Sequence, residues 1–422
     1  MEVYKFGGAS IATPERMRAL LPILQMAEGP LVVVMSALGK TTNALEAVVE
    51  AACAGRKDDA ARLAQELESS HMNYAQSLLR STSHAIIEGA LAPFLTELHW
   101  VIDEAELTRY DYHYDQIVPV GELLSTRIFS LLLEEEHVSN SWLDARDFIR
   151  TDDTHRDARV DISVSNEAIR AAIAPALKTG SIVVTQGFIG STFDNASVTL
   201  GREGSDYTAA LIASAVAATR VTIWKDVEGL LNADPKLFPD TAIIQRADFA
   251  EVIEMAFYGA QVIHPKTIKP LQNAGIPLHV RSFLNPEGEG TCICAERGEF
   301  SYPPILVLQD SQVLLQLTTR DFSFITEEAL SRIYACLSRH KAKVNLIQNA
   351  AISFVACIDF RKDRLPVLVA DLEQEYRVTR NEDLSLLTIR HPRGNVVEQY
   401  SAGKEILLKQ RTRQTVQLVF AS

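Results

Sequence analysis

Leu31-Val32-Val33-Val34-Met35 is a continuous apolar run, and Ser36-Ala37-Leu38-Gly39-Lys40-Thr41-Thr42-Asn43 follows it directly. A strand with one solvated face alternates apolar and polar residues, whereas one apolar throughout is buried on both faces. The glycine-bearing turn and the helical stretch 42–54 after it complete a strand-turn-helix unit. The pattern recurs outward. Residues 3–6 read as a strand ending in Gly7-Gly8, and Thr13-Pro14-Glu15 then supplies a capping hydroxyl, a proline at the first helical position and an acid in the first turn. Residues 181–185 and 221–224 repeat the apolar run, with helical stretches at 60–79 and 207–218. Apolar strands alternating with helices predict an α/β fold, an open, largely parallel sheet with helices on both faces.

Composition shifts at Asn285-Pro286-Glu287-Gly288-Glu289-Gly290 and again at Tyr302-Pro303-Pro304, so residues 284–304 read as a linker. Beyond it the pattern is that of a smaller α+β region. Strands are expected at 313–318, 344–347, 352–360, 378–380, 385–389 and 416–420, with a helix at 327–340.

The length of 422 residues fits several domains, and 47% apolar with 23% charged residues is a globular composition. Acidic residues outnumber basic ones 54 to 41, a formal net charge of −13. That balance argues against a general nucleic-acid binder, which neutralises phosphates with Lys and Arg. It leaves room for an anionic substrate in a locally positive pocket. No run approaches about 18 consecutive apolar residues, so no membrane span is expected. Met1-Glu2-Val3-Tyr4-Lys5-Phe6 lacks the basic and apolar regions of a secretory signal. The five cysteines, Cys53, Cys292, Cys294, Cys336 and Cys357, are odd in number and form no CxxC pair. Reduced thiols in the cytoplasm follow, and no metal-ligand set is expected.

Two nucleotide motifs fail. Gly39-Lys40-Thr41 resembles the end of a Walker A loop, but the glycine required at position 34 is Val34. No G-x-G-x-x-G follows a strand. What remains is a set of glycine-bearing turns at strand ends, where open α/β sheets place their ligands. Lys5-Phe6-Gly7-Gly8-Ala9-Ser10 offers paired glycines for close backbone approach to an anion, beside a cation. In Gly121-Glu122-Leu123-Leu124-Ser125-Thr126 a carboxylate suits either an ammonium group or a solvated first turn. Thr199-Leu200-Gly201-Arg202-Glu203-Gly204-Ser205-Asp206-Tyr207 combines most: Arg202 is a bidentate fork for a carboxylate or phosphate, and Gly204 with Ser205 opens a helix. Trp224-Lys225-Asp226-Val227-Glu228-Gly229, with Asn232-Ala233-Asp234-Pro235-Lys236 after it, suits a nucleoside. His264 and Tyr110-Asp111-Tyr112-His113-Tyr114 read as structural or surface residues.

In this order, KFGGAS, SALGKTTNAL, VGELLST, TQGFIG, TLGREGSDYTAA, WKDVEGLLNADPK and EMAFYGAQVIHPKT, spanning positions 5 to 267, resemble the aspartate kinases of the amino acid kinase family. Residues 305–422 resemble the paired ACT domains that follow the kinase there. The resemblance implies a catalytic domain over 1–283, a linker, and an ACT region over 305–422. Its first unit (312–375) is inserted into a second, shortened one (305–311 plus 376–422), so that 305–309 pairs with the C-terminal unit. It implies transfer of the γ-phosphoryl of Mg-ATP to the β-carboxylate of L-aspartate, the first step towards lysine, threonine and methionine. Lys5 and Asp206 are then catalytic, and Ser36, Thr42, Glu122 and Arg202 hold aspartate. Lys5, Gly7, Gly8, Ser10, Lys225, Asp226, Leu231, Lys236 and Gln261 face the nucleotide, ATP with Mg2+. A homodimer through the ACT region is implied too.

The chain departs from the family pattern in places. Glu203 stands where the motif has glycine, and Gln261 where a lysine supplies charge near the transferred phosphoryl; Lys225 or Lys266 is the expected substitute. Asn345, Ala350 and Ala351 replace acidic and hydroxyl residues of lysine-inhibited relatives, and Glu327-Glu328 replaces a helix-start glycine, so lysine inhibition is expected to be weak or absent. The alternatives are a kinase for another amino-acid carboxylate and a catalytically weak, ligand-sensing homologue.

Overall fold

The computed structural model describes residues 1–104, 108–260, 263–295 and 301–421. They form two compact units: Met1–Leu230 with Ile243–Ile253 and Val262–Phe300, and Leu231–Ala242 with Glu254–Gln261 and Ser301–Ser422.

In the first unit the strands are β1 (Glu2–Phe6), β2 (Leu31–Met35), β3 (Asn140–Leu143), β4 (Ile182–Gln186), β5 (Ile189–Ser191), β6 (Ser197–Thr199), β7 (Arg220–Lys225), β8 (Arg246–Asp248), β9 (Leu278–Ser282) and β10 (Thr291–Cys294). Among the described residues eight of them form one sheet in the order β3-β4-β2-β1-β7-β9-β10-β8. From β3 to β9 neighbours run parallel. All five residues of β2 are buried, as its apolar run requires. Central β1 has β2 on one side and β7 on the other, with Lys5 level with Val34 and Ile223. The chain passes from β1 to β2 on one side and, after β4, crosses to β7 on the other side of β1, and such a switch in direction leaves a crevice at the carboxyl ends of the strands.

Thr13 accepts a hydrogen bond from the Arg16 amide at the head of helix Pro14–Arg18, as its sequence predicts. Helical stretches His84–Asp103 and Tyr110–Glu135 are long and apolar enough to cross a membrane by length and composition alone. Neither is an uninterrupted apolar run. His84–Asp103 buries Ile87, Leu91, Leu95, Leu98 and Ile102 along one face, at core-helix spacing. Most of Tyr110–Glu135 is buried inside the unit.

The stretch 284–304 departs from the linker reading. β10 lies within it and runs antiparallel to β9, pairing Thr291 with Val280. The glycines read as linker punctuation make a reversal instead. Gly290 adopts φ +70°, and a Cβ there would lie 2.2 Å from the Val280 carbonyl oxygen, so only glycine fits this close return.

The second unit is built on a six-stranded antiparallel sheet of β11 (Ile305–Thr319), β12 (Val344–Asn349), β13 (Ser353–Asp359), β14 (Tyr376–Arg390), β15 (Ile406–Arg411) and β16 (Thr415–Ala421). Its order among the described residues is β12-β13-β11-β14-β16-β15. The strands expected at 378–380 and 385–389 are one, β14, and β15 is additional. Residues 305–309 pair with 386–390, which in turn pair with β16. Helix Glu327–Arg339 and helix Leu365–Leu372 cover the β12-β13-β11 half through Ile333, Leu337, Leu368 and Leu372. The other half has only the short helix Val396–Ser401.

Candidate active site

The carboxyl ends of β1, β2, β4 and β7 surround a cavity of about 530 Å³ within the first unit. Lys5, Ser36, Thr42, Glu122, Arg202, Asp206 and Lys225 line it, all chosen from sequence. Tyr114, Arg156, Phe188, Glu203 and Ser205 line it as well.

Lys5 sits near the end of β1 with its Nζ 2.7 Å from Asp206 Oδ1, and the two side chains are 12% and 4% exposed. Asp206 lies in the first turn of helix Gly204–Ala215. The carboxylate therefore fixes the ammonium at the mouth of a helix N-terminus, two sources of positive potential on one spot. Gly7 leaves the ammonium uncovered, since a Cβ there would lie 3.5 Å from Nζ. Gly8 serves a close approach: its Cβ would meet Ala37 O at 2.8 Å and Gly39 O at 3.0 Å. The Gly39 amide donates to Gly8 O across that contact at 3.1 Å. Ser10 is buried, and its hydroxyl donates to Gly7 O at 2.6 Å. Gly7, Gly8 and Ser10 shape the wall behind Lys5 and do not themselves line the cavity.

Glu122 opens helix Val120–Glu135. Its Oε1 accepts from the Ala37 amide at 3.2 Å, while buried Oε2 has no partner among the described residues. Burial pushes its pKa from 4.5 up to about 8. A buried, half-satisfied carboxyl costs stability unless a cation completes it. Gly121 lets this helix come close, for its Cβ would meet Thr41 Cγ2 at 2.9 Å and Ala37 Cβ at 3.0 Å. Ser36 Oγ donates to Ser205 Oγ at 2.9 Å, tying the loop after β2 to the helix that carries Asp206.

Arg202 is exposed and makes no ion pair or hydrogen bond among the described residues, so its fork is available. Glu203 adopts φ +55°, the left-handed conformation its glycine counterpart takes without cost. Its Oε2 accepts from the His264 amide at 2.7 Å. The carboxylate is thereby turned onto a backbone donor. His264 has the structural role expected: its Nδ1 accepts from the Lys266 amide at 3.1 Å, capping helix Pro265–Ala274. Lys266 itself is ion-paired to Asp157 and is not among the cavity residues. Of the two substitutes for the missing lysine, Lys225 is the one at the cavity.

Asp226 lies in an exposed bend after β7, and Leu231 and Lys236 belong to the second unit. Gln261 lies outside the described residues.

Arg156 and Tyr114 were not foreseen as site residues. Arg156 has φ +67° in an irregular loop; its guanidinium stacks 4.4 Å from the Tyr114 ring centroid and lies 3.3 Å from Asp111 and 3.6 Å from Glu46. Tyr114, one member of the aromatic run, thus lies at the cavity. Nothing in the pattern of an irregular loop marks Arg156, whereas Phe188 follows Gly187 directly after β4, the same strand-end signal that found the others. Phe188 has φ +73° and is held by its amide donating to Thr208 Oγ1 at 3.1 Å.

Residues 1–282 match the amino acid kinase family. Lysine-sensitive aspartokinase 3 of Escherichia coli (strain K12) is 34% identical over 363 residues, 85% of this chain and 78% of that protein. Solved structures of E. coli aspartokinase III cover the whole chain: one with aspartate and ADP (R-state) at TM-score 0.82, 29% identity and 96% of its own chain, one with lysine and aspartate (T-state) at 0.80, 30% and 95%. The chain spans 41% of another relative, the chloroplastic bifunctional aspartokinase/homoserine dehydrogenase 2 of Zea mays, at 29% identity over 89% of this chain.

Proposed function

The chain belongs to the aspartokinases of the amino acid kinase family, and from that premise we propose that it transfers the γ-phosphoryl group of ATP to the side-chain carboxylate of L-aspartate. A carboxylate oxygen forms the new O–P bond, the β,γ-bridging O–P bond breaks, and ADP leaves with the electron pair. The products are 4-phospho-L-aspartate and ADP. An aspartate side chain is already ionised near neutral pH, so no general base is needed. Catalysis reduces to positioning and to neutralising charge on the phosphoryl group.

The observation that carries this reading is the pairing of charges around one cavity. Among the described residues Glu122 Oε2 is a buried acceptor without a partner, suited to the substrate ammonium, and Arg202 is a fork without a partner, suited to its α-carboxylate. Ser36 and Thr42 complete the amino-acid pocket. Lys5, held by Asp206, meets the transferring phosphoryl group together with the Gly204–Ser205 helix start and Lys225. Gly7 and Gly8 let the phosphates approach the backbone, and Asp226 lies on the nucleotide side. Asp206 already bears the Lys5 ammonium, so Mg2+ fits best as a passenger on the ATP phosphates, where it offsets their charge.

A cytoplasmic homodimer fits the same reading. β12 is an edge strand of the second sheet with Ile347 exposed, and such an edge pairs readily with another copy.

Succinate, which lacks the ammonium, tests the site assignment. Wild type should prefer aspartate strongly, and Glu122→Gln should shrink the kcat/KM ratio by about 30-fold or more, the worth of one charge-assisted hydrogen bond to a buried group. An unchanged ratio would remove Glu122 from the ammonium site.

A further inference from the structure

In the second unit, helix Glu327–Arg339 and helix Leu365–Leu372 lie on the same face of the sheet. Cys336 is in the last turn of the first helix and His340 is its C-cap, one turn further on. Asp371 is in the last turn of the second helix. Sγ of Cys336, an imidazole nitrogen of His340 and a carboxylate oxygen of Asp371 all lie within 4.8 Å of one another. We infer that these three side chains form a binding site for a zinc-class divalent cation, clamping the carboxyl ends of the two helices together.

The donor set decides the class of ion. A thiol, an imidazole and a carboxylate are a zinc-type mixture, whereas Mg2+ and Ca2+ take oxygen ligands. Three protein ligands leave a fourth tetrahedral position for water. The burial pattern suits that: Cys336 is buried, while the His340 and Asp371 side chains are 14% and 31% exposed, giving an ion a way in. Cys336 and His340 are four residues apart, the helical spacing that puts two ligands on one face. Helix carboxyl ends carry negative partial charge, and here two converge on the cluster. Glu375 adds a further negative field at the thiol.

Two groups now use the same atoms. His340 Nε2 is 2.7 Å from Asp371 Oδ2, and Arg339 Nη1 is 3.5 Å from that oxygen. The Arg339 side chain is 69% exposed and can turn to solvent, and the histidine–aspartate hydrogen bond opens to admit the ion between them. This cluster is not legible from spacing, because Asp371 lies 31 residues beyond His340 and no ligand-spacing motif joins them.

The test is a Co2+ titration of the full chain after chelator treatment, read by the thiolate-to-cobalt charge-transfer band, followed by competition with Zn2+. One equivalent of Co2+ should bind with a tetrahedral spectrum and be displaced by Zn2+, and Zn2+ should raise Tm. Cys336→Ser should abolish the band, and His340→Gln and Asp371→Asn should each weaken binding by about 100-fold. A Cys292→Ser/Cys294→Ser variant should keep it, since those thiols lie on β10 of the first unit. Equal Tm values in chelator would show that the variants fold. Absence of a band, its survival in Cys336→Ser, or unchanged affinity in both His340→Gln and Asp371→Asn would reduce the cluster to a histidine–aspartate ion pair and overturn the proposal.

Discussion

Glu122 is the residue at which stability and function pull in opposite directions. Its pKa is raised from 4.5 to about 8 by burial, so between those values the native state keeps a proton that the unfolded chain releases. The contribution to stability is full below the ordinary carboxylate range and is lost as pH rises through about 8. Glu122→Gln should therefore gain unfolding free energy over wild type by up to a few kcal/mol more at about pH 8.5 than at about pH 5, measured by urea unfolding. An equal difference at both pH values would contradict the raised pKa. Glu203 poses a backbone question. At φ +55° glycine is unstrained, but it gives up the bond to the His264 amide. Glu203→Ala keeps the strain and loses the bond, so it should be less stable than Glu203→Gly by about 1 kcal/mol, measurable by urea unfolding. At the cavity, Lys225→Ala should lower kcat by about 100-fold, as loss of a charge at the transferring group does, while Lys266→Ala should leave kcat near wild type. The reverse ranking would place the compensating charge on Lys266. Residue types at strand ends were legible because physics confines phosphate and carboxylate binding to glycine turns and helix starts. Arg156 was not, because a loop with φ +67° carries no periodicity to read.

At the scale of elements, apolar runs located strands well, since a strand buried on both faces has little freedom in composition. Pro and Gly at 285–290 were ambiguous: the same residues punctuate a linker and a tight reversal, and only the contact of Gly290 with Val280 separates the two. β14 was read as two pieces because Arg380 to Asp383 are exposed and polar mid-strand, where burial stops shaping the sequence. The β12 region bears on regulation. Asn345 donates to Gln312 Oε1 at 2.8 Å and Asp359 Oδ1 at 2.6 Å. Its amide and the Asp359 oxygen are thus spent on each other, and exposed Ala350 and Ala351 offer no side-chain acceptor for an ammonium. Millimolar L-lysine should leave the aspartate-dependent rate within about twofold of its uninhibited value; halving it or more would contradict this.

At the scale of the molecule, the net charge of −13 describes the surface and says little about the cavity, where Lys5, Arg156, Arg202 and Lys225 meet three acidic side chains. The order of the glycine turns along the chain was enough to indicate the fold, because a parallel sheet places successive strand ends on one edge. It was not enough to reveal which neighbours the sheet brings in, such as Tyr114 beneath Arg156. The central claim is that this cavity activates one carboxylate of one amino acid. It is tested most directly by incubating the protein with Mg-ATP and a panel of amino acids and succinate, trapping acyl phosphate with hydroxylamine. Hydroxamate should form with L-aspartate far above every other acid. Comparable yield with glutamate or acetylglutamate, or none with aspartate, would contradict it.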